Sequence, residues 1–222
     1  MKHLWQLVYS WISIRKYYED IYMAKTKTKN KVIQVEDAYG CVTLPAKAND
    51  YAAGYDVHPI EVKLVSHSGV SFICKTEEEI IKACVKLKEL DKRSWWKRFK
   101  DWLNDEQPLK GWKQAKFNTG LKVAPEDAEL YISLEPNSRV TKTDYVLHNS
   151  LGTVDNDYRG FCYAIYHSVC QTYDSESLIR LFDTCCQLKG KMSIPLEFVR
   201  KEKLSETARG EGGFGSTSNF TN

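Results

Sequence analysis

The sequence predicts a mainly β protein, a jelly-roll-like β-barrel or sandwich with an inserted α-helical segment and a flexible C-terminal arm. Three observations predict it. Short alternating or β-branched runs recur between turn signals, as at 60–64, 130–134 and 145–147. Stretch 76–112 interrupts them with apolar residues at helical spacing behind a helix-start signal. The last stretch, 209–222, loses apolar periodicity and becomes rich in Gly, Ser and Thr. Many short strands with closely spaced turns belong to a sandwich or barrel.

Bulk properties bound what such a fold can be. At 222 residues the chain can hold one domain with a full core plus additions. Its 42% apolar and 27% charged residues are those of a soluble globular protein. A net charge of +3 is too small to argue for nucleic acid. Seven cysteines, with an adjacent pair at Cys185-Cys186 and no C-x-x-C, suggest reduced thiols in a cytoplasm and no zinc site. The longest apolar runs fall short of a membrane span.

The elements follow in order. Leu4, Leu7, Val8 and Trp11 fit a short amphipathic helix. The basic start resembles a signal peptide, but Gln6, Tyr9 and Ser10 interrupt its apolar part and no small-residue cleavage site follows. Glu19-Asp20 can be encoded as a purine-rich ribosome-binding sequence shortly before the Met23 codon, so 1–22 also reads as an untranslated extension. Intact mass decides between these. The basic run 25–31 completes an N-terminal arm, 1–31. Strands are expected at 32–42, with a bend at Tyr39-Gly40, then at 60–64 and 70–73. Between them Ala52, Ala53 and Gly54 allow close backbone packing before Asp56 is presented at a strand start.

Thr76 and Glu79 form a capping-box pattern, and Ile80, Cys84, Leu87 and Leu90 continue at helical spacing. Trp95, Trp96, Phe99, Trp102 and Leu103 follow among Lys92, Arg93, Lys97, Arg98 and Lys100, before Pro108 and Gly111 close the segment. Together with Trp112, these tryptophans read either as a docking surface for another protein, such as a host protein, or for nucleic acid, or as the buried seam of a helical hairpin. Strands resume over 116–123, 130–134, 145–147, 161–167, 178–182, 185–188 and 194–199, with a turn at Pro125-Glu126-Asp127. The β domain is therefore expected over 32–208, with the arm over 209–222.

Within it, LGTVDNDYRG at 151–160 sets Asp155, Asp157 and Tyr158 between two glycines after the alternating run 145–148. That pattern reads as a strand entering a tight hairpin, a rigid place to hold a carboxylate against a ligand.

Five segments, in order, resemble the motifs of the trimeric dUTPase family, enzymes that hydrolyse dUTP to dUMP and pyrophosphate. They are AAGYDV at 52–57, PNSR at 136–139, NSLGTVDNDYRG at 149–160, DTCCQL at 183–188 and RGEGGFGSTS at 209–218. The third and fifth are close and specific. The second and fourth are degraded: Asn137 stands where the family has Arg, with Arg139 displaced, and Thr184 replaces the other usual Arg while Gln187 is kept.

The resemblance implies roles. Hydrolysis of a phosphoanhydride needs an aligned water and stabilised phosphate charge. Asp155 would orient and deprotonate that water for attack at the α-phosphate. Tyr158 would pack under the sugar and exclude a 2′-hydroxyl. Asn149, the amide of Gly152 and the main chain at Tyr163 would pair with uracil, with Thr153 and Val154 beside them. Ser138, Arg139, Asn137 and Gln187 would meet the triphosphate. Arg209 would hold the terminal phosphate, Phe214 would stack on the base, and Gly215, Ser216 and Thr217 would add donors. Mg²⁺ is implied, held by phosphates and water with Asp56 at most in its outer sphere. His58, His67, His148 and His167 show no metal-ligand spacing. A homotrimer with shared sites is implied, and an inserted module on a diverged member suits a phage or virus.

Two other functions stay open. A dCTP deaminase shares the superfamily's fold, though no deaminase zinc motif is present. A nucleotide-dependent regulatory binder, with the inserted helices as effector, would accommodate the degraded motifs.

Overall fold

Strand β3 (Glu61–Ser66) buries Val62, Leu64 and Ser66 while Lys63 points to solvent, the two-residue period of a strand with one face on a core. Ten further strands accompany it in the structure, a computed structural model that describes residues 31–92, 110–201, 203, 205 and 207. They are β1 (Ile33–Asp37), β2 (Tyr55–Val57), β4 (Ser71–Cys74), β5 (Trp112–Asn118), β6 (Leu121–Pro125), β7 (Leu130–Glu135), β8 (Tyr145–Leu147), β9 (Gly152–Val154), β10 (Tyr163–Ser168) and β11 (Cys186–Met192).

All pairings are antiparallel. One sheet runs β4-β3-β5-β10-β8, a second β2-β11-β7-β9, and β1 pairs with β6 in a two-stranded ribbon. The larger sheet contributes Val62, Leu64, Ala115, Phe117, Ala164 and Tyr166 to one hydrophobic core. The smaller contributes Val57, Ile132, Leu134, Val154 and Leu188 to that same core. Phe117 and Tyr166 meet edge to face at 5.8 Å within it. The mainly β expectation holds as two sheets sharing one core.

Helix α1 (Glu77–Leu90) starts at its predicted cap, where Thr76 Oγ1 accepts from the Glu79 amide at 3.2 Å. Glu79 reaches back to the Lys75 amide at 2.6 Å, one residue earlier than in the usual box. Ile80, Ala83, Cys84 and Leu87 form its buried stripe. Trp112, expected within the insertion, instead opens β5; it is fully buried and its indole N–H donates to Cys84 Sγ at 3.3 Å. For this one tryptophan, packing against the helix is what the structure shows. Trp95, Trp96 and Trp102 lie outside the described residues, as do 1–30 and the motif at 209–218.

Three further expectations are corrected. Residues 178–182 are not a strand but part of helix α2 (Ser175–Asp183), which packs against α1. Its start signal is Asp174, whose carboxylate accepts from the amides of Glu176 at 2.8 Å and Ser177 at 3.2 Å. With that cap in place, Leu178 and Leu181 fall on one buried helical face. Residues 194–199 pair with no strand among the described residues, and Ile194, Leu196 and Phe198 stand exposed at 76%, 74% and 92%. The expected strand 116–123 is split into β5 and β6 by Thr119-Gly120, with Gly120 at φ +71°.

The chain around 145–160 is not a hairpin either. β8 pairs with β10 and β9 pairs with β7, so the connection 148–151 carries the chain from one sheet to the other. Alternation marks β8 as a strand, but it carries no information about which neighbour it chooses.

Candidate active site

The crossing from β8 to β9 leaves both as edge strands, each paired on one side only. An edge strand presents a row of unpaired N–H and C=O groups, which a planar polar ligand can use as a strand would. Asn149 secures the crossing. Its amide donates to the Tyr163 carbonyl at 2.9 Å and its Oδ1 accepts from the Ile165 amide at 3.0 Å, prolonging the β8–β10 ladder with a side chain. Each side-chain atom thus has one partner in the fold, which fixes the orientation of the carboxamide at the crossing. The N–H of an extended residue points the same way as its C=O, so the Tyr163 N–H is also turned to this side. Gly152 sits close to its neighbours: a Cβ would lie 3.1 Å from the Asn149 carbonyl oxygen and 3.2 Å from Leu134 Cβ, so these would have to give by a few tenths of an ångström. Thr153 is exposed and Val154 buried, as alternation demands. The Tyr163 ring is half-buried beneath Lys116 Nζ, 3.7 Å from its centroid, and burial raises the phenol above its usual range.

Asp155 follows β9 directly and is exposed. It borders a cleft of about 320 Å³ together with Glu129, Tyr131, Thr153, Asn156 and Ser193. A tight turn then brings Tyr158 back, its amide donating to the Asp155 carbonyl at 3.1 Å. The Tyr158 phenol donates to the Phe161 carbonyl at 3.2 Å and lies across Gly160, where any Cβ would strike it. The glycine after Tyr-Arg is therefore the floor on which the ring rests.

The second and fourth motifs meet at another corner. Asn137 caps a short 3-10 helix (Ser138–Lys142): its Oδ1 accepts from the Arg139 amide at 3.0 Å and its Nδ2 donates to the Thr184 carbonyl at 3.3 Å. Arg139 is ion-paired with Asp183, the last residue of α2. Gln187 donates to the Pro136 carbonyl at 2.9 Å and pairs in register with Asp56. A Cβ on Gly54 would collide with the Gln187 amide, which accounts for the glycine in the first motif. Ser138 is exposed at the start of the 3-10 helix. Asp183 and Asn156 were not singled out by the sequence, which holds no local pattern for a partner reached through the fold.

Within one chain the two corners do not converge. Val154 pairs with Ile132 and Gly152 with Leu134, so Asp155 continues toward Tyr131 while Asn137 lies beyond the other end of β7. Six residues of extended chain separate Tyr131 from Asn137, roughly 20 Å at strand rise. From Gly152 to Asp155 the span is only about 10 Å. The predicted Arg209, Phe214, Gly215 and Ser216 lie outside the described residues.

Among the described residues no group of three His, Cys, Asp or Glu could hold a metal ion. His148 and His167 are packed, stacked 3.9 Å apart, with Gln114 Nε2 2.9 Å from His167 Nε2. No helix among the described residues is long and apolar enough to cross a membrane.

No family model matches the chain. It is similar to deoxyuridine 5′-triphosphate nucleotidohydrolases, being 42% identical over 72 residues to that of Helicobacter pylori (strain Shi470), 32% of this chain and 48% of the relative. It is 35% identical over 111 residues to the same enzyme of Finegoldia magna, 49% of this chain and 74% of the relative. For Fusobacterium nucleatum the figures are 38% over 112 residues, 49% and 73%. The chain thus spans about half the length of the Helicobacter relative and about three quarters of the other two. Among solved structures it resembles a mutant Staphylococcus bacteriophage 80alpha dUTPase with dUpNHpp, with 14% identity, TM-score 0.50 and coverage of 84% of this chain and 98% of that one. A second mutant of the phage enzyme gives 16% identity, TM-score 0.51, and coverage of 83% and 98%. At these identities the likeness is one of fold.

Proposed function

The chain belongs to the deoxyuridine 5′-triphosphate nucleotidohydrolase (dUTPase) family, and we propose that it hydrolyses dUTP to dUMP and pyrophosphate, with Asp155 activating the attacking water. The observation that carries this reading is the exposed carboxylate about 10 Å along an edge strand from Gly152, room for a nucleoside between a base-pairing edge and the reacting phosphate. The base lies in the gap at 149–152, where the Gly152 amide and the Tyr163 N–H meet its polar edge. Tyr158, seated on Gly160, packs against the sugar and leaves no room for a 2′-hydroxyl. Asp155 then takes a proton from water directed at the α-phosphorus, and pyrophosphate departs.

The phosphate groups come from the other corner. A triphosphate does not span roughly 20 Å, so Ser138, Arg139 and Gln187 meet a nucleotide held by Asp155 of a second copy. A homotrimer with shared sites satisfies this, and the exposed Ile194, Leu196 and Phe198 supply apolar surface for the contact. Arg209, Phe214, Gly215 and Ser216 of the arm 209–222 complete the site over phosphate and base. Mg²⁺ would be held mainly by phosphate oxygens and water, with Asp56 at most in its outer sphere, and would supply charge neutralisation. The domain extends over 32–208, the protein acts in the cytoplasm, and a phage-type member fits the inserted segment.

A second reading has one observation behind it. Arg139 is taken up by Asp183 and Asn137 replaces the usual Arg, which suits a slow enzyme serving as a nucleotide-dependent binding protein. Pyrophosphate release from dUTP, dTTP, dCTP and UTP, with Asp155→Asn as control, tests the main reading. Release from dUTP alone supports it. Binding of dUTP without turnover favours the second reading, and ammonia release from dCTP would indicate a deaminase.

A further inference from the structure

Asn156, between the two acids of the loop, makes an unusual set of contacts. Its amide nitrogen lies 3.2, 2.8 and 3.1 Å from the carbonyl oxygens of Pro125, Asp127 and Leu130. A carboxamide nitrogen carries two hydrogens, so three acceptors converge on two donors, a place suited to N–H and hostile to an oxygen. The three carbonyls belong to the end of β6, the following turn and the start of β7. That turn is itself rigid. Asp127 Oδ1 accepts from the Glu129 amide at 3.0 Å, its carbonyl accepts from the Leu130 amide at 3.0 Å, and its Oδ2 pairs with Lys31. It also forms the wall of the cleft facing Asp155, through Glu129, Leu130 and Tyr131.

Asn156 is held through its main chain as well. Its main-chain carbonyl accepts from Arg159 Nη1 at 2.6 Å, and the same nitrogen donates to the Tyr158 carbonyl at 2.9 Å. The residue next to Asp155 is thus fastened to the β6–β7 turn through its side chain and to Arg159 through its main chain.

We propose that Asn156 is a positioning residue that fixes the direction of the Asp155 carboxylate by locking its loop to the β6–β7 turn. This rests on the reading of Asp155 as the base that activates water. An exposed carboxylate has nothing of its own to hold it, and an error of about 1 Å in a reacting group can cost on the order of 100-fold in rate. The clamp supplies the missing constraint one residue away, without touching substrate.

The test compares wild type with Asn156→Ala and Asn156→Asp for dUTP turnover from pH 6 to 8, with thermal melting and amide hydrogen exchange of the nucleotide-free protein. For Asn156→Ala, kcat falls about 10-fold or more while KM moves less than about 3-fold. In Asn156→Asp the new carboxylate faces three carbonyl oxygens. Its ionised form is disfavoured and its pKa rises, so lowering the pH restores one donor. The ratio of Asn156→Asp to wild-type kcat therefore climbs as pH falls. A flat ratio, or a loss of kcat that tracks the folded fraction at the assay temperature, overturns the proposal. If wild type releases no pyrophosphate, the functional reading fails, and exchange alone judges the clamp. Faster exchange in Asn156→Ala at both 125–130 and 155–159 supports it; unchanged exchange in either segment overturns it.

Discussion

Arg139 and Asp183 form an ion pair that ties the 3-10 helix after β7 to the end of α2, at the corner proposed to meet phosphate. Both side chains are about half exposed, so the pair contributes only about 0–1 kcal/mol to stability. Its larger effect falls on binding, because a guanidinium neutralised by a carboxylate is a poorer fork for phosphate. Asp183→Asn is expected to lower KM for dUTP by about 2- to 10-fold while leaving the melting temperature nearly unchanged. Arg139→Ala should raise KM. Steady-state kinetics in which neither variant moves KM would make the pair purely structural.

Asp155→Asn keeps the shape of the loop and removes the carboxylate proposed as the proton acceptor. Turnover is expected to fall about 10²- to 10⁴-fold with dUTP binding largely retained. Single-turnover pyrophosphate release and equilibrium binding, measured on one preparation, separate the two effects. Equal turnover in variant and wild type would place the base elsewhere.

What the sequence made legible was local. Thr76 and Glu79 announced α1, and alternation located β3 and β7. The fold decided what remained. The apolar residues at 178–182 fit a strand by composition, and only the Asp174 cap turns their spacing into a helix. The run 145–148 looked like a strand entering a tight hairpin, yet β8 pairs with β10 and the residues after it, as β9, pair with β7 in the other sheet. Asn156 and Asp183 contact residues 26 to 31 and 44 positions away, a reach no local pattern encodes.

Gly160→Ala tests how sugar selection is built. A methyl there strikes the Tyr158 phenol and lifts the ring from its seat. The expected result is a loss of discrimination, with kcat/KM for dUTP falling relative to UTP by about 10-fold or more. The two rates measured side by side check this. An unchanged ratio would mean that the ring does not guard the 2′ position.

His167 supplies a pH dependence of stability distinct from catalysis. Burial first, then the charges of His148 and Lys113, hold its pKa below the ordinary histidine value. The unfolded chain therefore takes up the proton first, and stability is lost as pH falls below about 6.5 toward the folded value. His67, lowered by burial and Lys113, adds to the same window. Glu135 and Asp127, lowered chiefly by Lys189 and Lys31, act only in the carboxylate range further down. Melting temperatures from pH 8 to 5 should decline less steeply in His167→Gln than in wild type. Parallel curves would assign the decline to other groups.

Separation of Asp155 from the second motif along β7 makes a prediction about mixed assemblies. Asp155→Asn lacks the base, and a variant with Ser138→Ala and Arg139→Ala lacks the phosphate corner, so each alone should be nearly inactive. If the two corners of a site come from different copies, chains mixed under dissociating conditions and reassembled combine one intact Asp155 with one intact corner. Random reassembly of equal amounts leaves about one site in four intact. Activity should therefore rise well above either parent, toward roughly a quarter of wild type. Replacing Ile194, Leu196 and Phe198 with serine should prevent the recovery by removing the apolar contact, seen in light scattering as a smaller particle. Mixed chains that assemble yet stay as inactive as their parents would require both corners of a site to come from one copy, against the strand geometry that keeps them apart.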